Sequence, residues 1–256
     1  MGLFRPCIDI HNGKVKQIVG STLQDEGDKA NDNFVSDKDA AYYAELYKAD
    51  RLKGGHVIIL NPAGSPYFEE SRQQAIEAIS AYPDGLQVGG SINADNAGFY
   101  IEKGARAVIV TSYVFKDGRI NMEHLRALRD AVGAEHVVLD LSCRQKDGEY
   151  LIVTDRWQKF TDTKLRPMML EMLSEYVSEF LVHAVDAEGK RAGIDRGVLD
   201  ILVQYKGKKV TYAGGIHTME DVDTVLEAGM GRIRFTVGSG LDLYGGNLKY
   251  DILKAI

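Results

Sequence analysis

Cysteine is scarce. Cys7 and Cys143 are the only two in 256 residues, too few for a disulfide framework and at no metal-binding spacing. A reducing, cytoplasmic setting is therefore expected. Positive charge is not in surplus either: 31 Lys and Arg stand against 37 Asp and Glu, a net charge of −6, which argues against general nucleic-acid binding. No apolar run approaches the roughly 18 residues of a membrane span, and Met1 to Arg5 pass straight into an apolar strand, leaving no stretch for a secretory leader. Proline is limited to five residues, and no Pro-rich, Gly/Ser-rich or charged linker parts the chain, so one domain over residues 1–256 is expected. A P-loop and a Gly-X-Gly-X-X-Gly turn after the first strand are both missing, which leaves nothing to suggest NAD or ATP. The six histidines form no i, i+4 pair and no cluster with cysteine. Asp9 and Asp140 could hold Mg²⁺ through oxygen alone, but the expectation is no metal and no cofactor.

What is present is the alternation of a covered parallel sheet. Short apolar runs at Pro6–Ile10, His56–Leu60, Leu86–Val88, Ala107–Val110, His136–Leu141, Phe180–Ala184, Lys209–Tyr212 and Ile233–Thr236 predict eight main strands. Helical spacing predicts Asp39–Lys48, Phe68–Ala81, Asn93–Lys103, Asn121–Val132, Leu165–Tyr176, Asp195–Tyr205, Thr218–Ala228 and Leu248–Ile256; in the first, Ala40, Tyr43, Ala44 and Tyr47 share a face. Eight strands alternating with eight helices in a chain of this length predict an α/β fold, a single (β/α)8 TIM barrel. Two extra strands, Lys14–Val19 and Tyr150–Thr154, occupy corresponding places in the two halves. The polar run from Gly20 to Ser36 has no period and exceeds an ordinary connection, so a lid that orders on ligand binding, or a disordered segment, is expected there.

The stretch from Leu86 to Ser112 returns 125 residues later without a gap: Gly89 pairs with Gly214, Gly90 with Gly215, Glu102 with Glu227, Gly104 with Gly229 and Thr111 with Thr236. A period this long exceeds a solenoid unit and predicts two half-barrels, about 1–132 and 133–256. A glycine turn after a parallel strand lets backbone N–H groups approach a ligand, and a helix beginning nearby, as at Thr218 and Asp221, adds partial positive charge. Gly89-Gly90 in the first half, with Gly214-Gly215 and Gly238-Ser239-Gly240 in the second, predict two anion sites. Tight turns alone are the plainer alternative.

Asp9 ends the first strand and Asp140 the fifth, which places two carboxyls across the barrel mouth, able to divide proton work as base and acid. Turn capping or pairing with a buried cation is the alternative for each. Cys7 shares the face of Asp9 and reads as packing. His183 ends the sixth strand and faces the site, either as a satisfied structural histidine or as a catalytic one. Trp157, the only tryptophan, lies in the polar segment TDRWQKFT, where an exposed ring stacks on a flat substrate or simply packs its loop. Arg156 beside it reaches a phosphate or is solvated.

CIDIHNGKVKQIVG, GLQVGGSI, VIVTS, VVLDLS, TDRWQKF, VTYAGGI and TVGSGLDLYGG, in this order from Phe4 to Leu248, resemble the histidine-biosynthesis barrel isomerases, the phosphoribosylformimino-5-aminoimidazole carboxamide ribonucleotide isomerases, in their eukaryotic form. The resemblance implies an Amadori rearrangement of an aminoaldose to an aminoketose on a small bisphosphate, without cofactor. It implies Asp9 as the base at C2 and Asp140 as the acid at the ring oxygen. Gly89-Gly90, Thr111-Ser112, Gly214-Gly215 and Gly238-Ser239 become the phosphate binders, and Trp157 the residue stacked on the aminoimidazole. Three positions depart from bacterial members: Asn61 before Pro62 replaces an acid, His183-Ala184 stands where a Thr is found, and Gln17 replaces an Arg. His183 therefore enters as the candidate that assists Asp9. The alternatives are the sister cyclase that takes ammonia from a glutaminase, activity on the related tryptophan-pathway substrate, and a barrel that senses a phosphometabolite without turnover. A monomer is expected, with no nucleic-acid or membrane partner.

Overall fold

Strands that are apolar along their whole length need cover on both faces, and the chain supplies it by placing a helix after nearly every strand. The computed structural model describes residues 2–19, 22–23, 30–187 and 193–256. Cys7–His11 pairs in parallel with Gly55–Ile59, and the ladder continues through Leu86–Gly89, Ala107–Val110, Val137–Asp140, Glu179–His183, Lys209–Ala213 and Ile233–Thr236. Ile233–Thr236 pairs in turn with Phe4–Arg5, which is parted from Cys7–His11 by Pro6 alone. Pro6 has no N–H for the ladder, but its carbonyl accepts from the His56 amide at 3.0 Å. The result is a mixed α/β fold with a curled parallel sheet.

Inside the curl, Ala107, Ile109, Val138, Leu181 and Ala213 form a small core with Ile58 against them. A larger core fills the space between strands and helices, and the helix Ala40–Ala49 buries the four residues predicted for it. At the N-terminal ends of the strands, buried Glu179 accepts from Gln87 and Thr211, and burial pushes the Arg5 guanidinium down to about 10 while Glu179 works to raise it. That acid is held by the scaffold.

Three expectations need correction. Within the supposed lid, Asp32–Val35 is a strand, antiparallel to Lys14–Ile18, and Lys16 ion-pairs with Asp32 at 2.9 Å; residues 20, 21 and 24–29 lie outside the described residues. The strand predicted at Tyr150–Thr154 is present, as Glu149–Thr154, and forms the centre of a three-stranded antiparallel sheet with Cys143–Lys146 and Lys159–Lys164. The closing helix covers only Tyr250–Leu253, because the Leu248 amide is drawn to the Gly240 carbonyl and keeps the chain extended there. The helix after the fifth strand is α-helical only over Pro167–Leu173 and ends as a 3-10 turn, Ser174–Tyr176.

Candidate active site

Side chains alternate along a strand, so in parallel strands the last inward residue of each meets the others at the C-terminal ends. There the curl opens into a cavity of about 340 Å³. Every site residue expected from the sequence lines it: Asp9, Asp140, His183 and Trp157, with Gly89, Gly90, Thr111, Ser112, Gly214, Gly215, Gly238 and Ser239.

The two carboxyls are both partly buried, and their surroundings differ. Asp9 Oδ2 accepts from the Gln17 side-chain amide at 2.9 Å, and the same amide lies 3.7 Å from the Cys7 sulfur. Asp140 Oδ1 accepts from the Ser142 hydroxyl at 2.9 Å and faces His183 Nδ1 at 3.1 Å. The indole Nε1 of Trp157 donates to Ser142 at 2.9 Å, so indole, hydroxyl and carboxyl form a chain. His183 thus goes to Asp140, and the neighbour given to Asp9 is Gln17. Beneath them His56 is buried, its ring 6.3 Å from that of His183 and nearly perpendicular. Burial and then the positive charge of His183 push its pKa down to about 3, against the pull of Asp140.

The glycine turns have the backbone their role requires. Gly90 and Gly214 sit at φ +113 and +116, where a side chain is strained, and a Cβ on either would run into the Ile59 carbonyl or the Ala184 carbonyl. The helix N-termini contribute less than expected. Asn93 caps its helix through the amides of Asp95 and Asn96, Thr218 caps through that of Asp221, and each first turn carries acids. The glycine turns are therefore better candidates for holding an anion than these first turns.

Trp157 is half-buried rather than exposed, with its ring centroid 6.0 Å from that of His183. It ends a turn in which Asp155, Arg156 and Trp157 have φ +51, +53 and +69, three successive left-handed residues that cost roughly 1–2 kcal/mol each. The turn is held by the Asp155 amide donating to Ser112 at 3.0 Å and by the Lys159 to Asp155 ion pair at 2.7 Å. Strain of this kind gathers where a side chain must be aimed. Asn61 lines the cavity and also braces the scaffold: its Oδ1 accepts from the Asn12 amide and from the Ser71 hydroxyl, tying the first strand's turn to a helix. Gln17, Ser142 and His56 also line the cavity. Sequence reading missed Ser142 and His56, although each lies on a strand or strand end with an inward neighbour two residues away. Among the described residues, no group of three or more His, Cys, Asp or Glu could hold a metal ion.

A parallel sheet whose strand ends gather glycine turns and two carboxyls around one cavity defines the class of α/β proteins that take small phosphorylated ligands at those ends. Within that class the chain belongs to the histidine biosynthesis protein family, which matches residues 4–247. It is 55% identical over 251 residues to a chloroplastic 1-(5-phosphoribosyl)-5-((5-phosphoribosylamino)methylideneamino)imidazole-4-carboxamide isomerase of Medicago truncatula, covering 96% of this chain and 79% of that protein. Isomerases of the same name from Neurospora crassa and Saccharomyces cerevisiae are 42% and 41% identical, with 96% and 97% of this chain and 94% and 95% of those proteins covered.

Proposed function

We infer that this chain is an isomerase of histidine biosynthesis, which converts the phosphoribosylamine arm of that imidazole carboxamide bisphosphate to the phosphoribulosyl form by an Amadori rearrangement. The observation that carries the reading is the convergence of Asp9, Asp140 and both sets of glycine turns on one cavity, in a chain 55% identical to a named isomerase. Asp140 gives a proton to the ring oxygen as the C1–O bond breaks, the bond pair moving to oxygen while the nitrogen lone pair forms C1=N. Asp9 removes the C2 proton, the C–H pair forms C1=C2, and the C1=N π pair returns to nitrogen. Return of a proton to C1 and loss of one from the C2 hydroxyl give the aminoketose. Neither oxidant nor cofactor enters the balance.

Gly89-Gly90 with Thr111-Ser112 hold one terminal phosphate, and Gly214-Gly215 with Gly238-Ser239 the other. Trp157 and His183 flank the acid, with Trp157 against the aminoimidazole. The parallel ladder, joined at both ends to the continuous stretch Phe4–His11, supports one closed eight-stranded barrel made of two half-barrels in a single domain. We place the chain in the cytoplasm as a monomer; imaging of the native chain and its sedimentation test these, with a plastid location, as the Medicago relative's name has it, the contrary result. The names of the relatives support the isomerase over the sister cyclase.

The test of the activity is an absorbance assay of the purified chain with the bisphosphate aldose, without glutamine or ammonia. Stoichiometric conversion to the ketose is the expected result; binding without turnover would favour a sensor and sink the isomerase.

A further inference from the structure

A lone carboxyl of ordinary acidity, near 3.9, is about 99.9% ionised at neutral pH, so it makes a poor store for the proton that opens a sugar ring. The surroundings of Asp140 sharpen the difficulty. Its Oδ1 accepts from Ser142, itself anchored by the Trp157 indole, and faces His183 Nδ1 at 3.1 Å, the pattern of donors around a carboxylate. We propose that His183 is the proton store of the reaction: Nδ1 yields its proton to the Asp140 carboxylate, which hands it on to the ring oxygen, so that the pair acts as an acid of imidazole rather than carboxyl strength.

This rests on the isomerase reading and adds the source of its first proton. His183 moves no electrons to or from the substrate; one N–H bond breaks, one O–H bond forms on the ring oxygen by way of Asp140, which ends as the carboxylate it began as, and the imidazole is left neutral. The side chains of the pair are 12% and 14% exposed, so water is a poor rival as donor. The groups facing His183 suit the task. From the second strand, buried His56 stays neutral, and the positive charge of His183 is among the causes of its lowered pKa. Trp157 beside the ring does not titrate. Asp9 and Arg156 line the cavity beyond, one of each sign. A positive His183 is therefore opposed by no second positive histidine.

The sign follows from the store. The proton is present below the imidazole range and is lost as pH rises through it, so kcat/KM of the native enzyme falls on that side. The test is the pH profile of His183→Asn, whose amide can still bond to Asp140 but stores no proton. The profile should lose its plateau and fall about tenfold per pH unit from the ordinary carboxyl range upward, with a loss on the order of 10²-fold at pH 7, the gap between carboxyl and imidazole acidities. KM for the bisphosphate should change little. An unchanged profile would overturn the proposal, whether or not the rate itself fell, because a merely structural histidine moves the rate and not the shape. If His183→Asn fails to fold, His183→Gln takes its place under the same criterion. Native enzyme without turnover would instead sink the isomerase reading.

Discussion

In Cys7–His11, two residues before its end, and at the end of Val137–Asp140 the chain presents the same group, a carboxyl, in two different settings. In register with them, Asp9 lies beside Ile58 and Asp140 beside Leu181, so two residues further on Leu60 in the first half answers to His183 in the second. One acid has the neutral amide of Gln17 at 2.9 Å; the other has an imidazole, a hydroxyl and, behind it, an indole. The anion turns show the opposite tendency. Gly90 and Gly214, one residue off the 125-residue register, share a φ to within a few degrees, and the capping boxes of Asn93-Asn96 and Thr218-Asp221 recur at the repeat's own spacing. On the proposed function, what is done by backbone is duplicated because two phosphates would ask for the same N–H groups, and what is done by side chain has diverged because the two protons would move in opposite directions.

The largest effects should come from breaking that division. Asp9→Asn and Asp140→Asn are each expected to lower kcat by at least about 10²-fold with smaller changes in KM, the usual scale of acid-base catalysis. Near-normal turnover in either would show that the carboxyl in question transfers no proton. Glycine variants test the duplicated part. Gly90→Ala and Gly214→Ala would each force a side chain into a left-handed backbone and against a carbonyl, so each should cost at least about 1–3 kcal/mol in urea unfolding, and each should raise KM. A loss confined to one of them would mean that the two turns are not equivalent.

His56 sharpens the comparison from below. Its folded pKa is held down to about 3, under the unfolded value near 6.5, so between those limits the unfolded chain binds a proton that the folded chain refuses. Stability should therefore fall as pH drops through that window, by up to about 1.4 kcal/mol per pH unit. Acid unfolding of His56→Gln should be shallower by nearly one proton. An equal slope would mean that His56 is already charged in the folded state.

Much of this was readable in advance, and the reasons are local. Continuous apolar runs such as Ala107–Val110 and Ile233–Thr236 can only be covered strands, and the helix Phe68–Ala81 has the bounds expected of it. Asp9, Asp140 and the glycines were legible because strand ends and turns are fixed by position alone. The strands Asp32–Val35 and Lys159–Lys164 were not, since polar antiparallel edges carry no apolar signature. Nor were the partners: that Gln17 reaches Asp9 depends on the register of a hairpin, and that Trp157 reaches Ser142 depends on three left-handed residues.

The capping boxes give the smallest and most discriminating contrast. Asn93→Ala and Thr218→Ala should each cost about 1 kcal/mol near neutral pH, the usual loss for a cap. The two boxes differ in charge, however: Asn96 closes the first and Asp221 the second. Burial works to raise the Asp221 pKa, but hydrogen bonds from the His217 and Thr218 amides and the Thr218 hydroxyl outweigh it and hold the carboxyl below its usual range. A carboxyl depressed in this way contributes stability above its unfolded pKa and loses it as pH falls through the folded one. The cost of Thr218→Ala should therefore shrink in acid, where Asp221 is protonated, while that of Asn93→Ala stays level. Urea unfolding of both variants at neutral and acid pH measures this, and parallel pH dependence would show that the second box works as a neutral one.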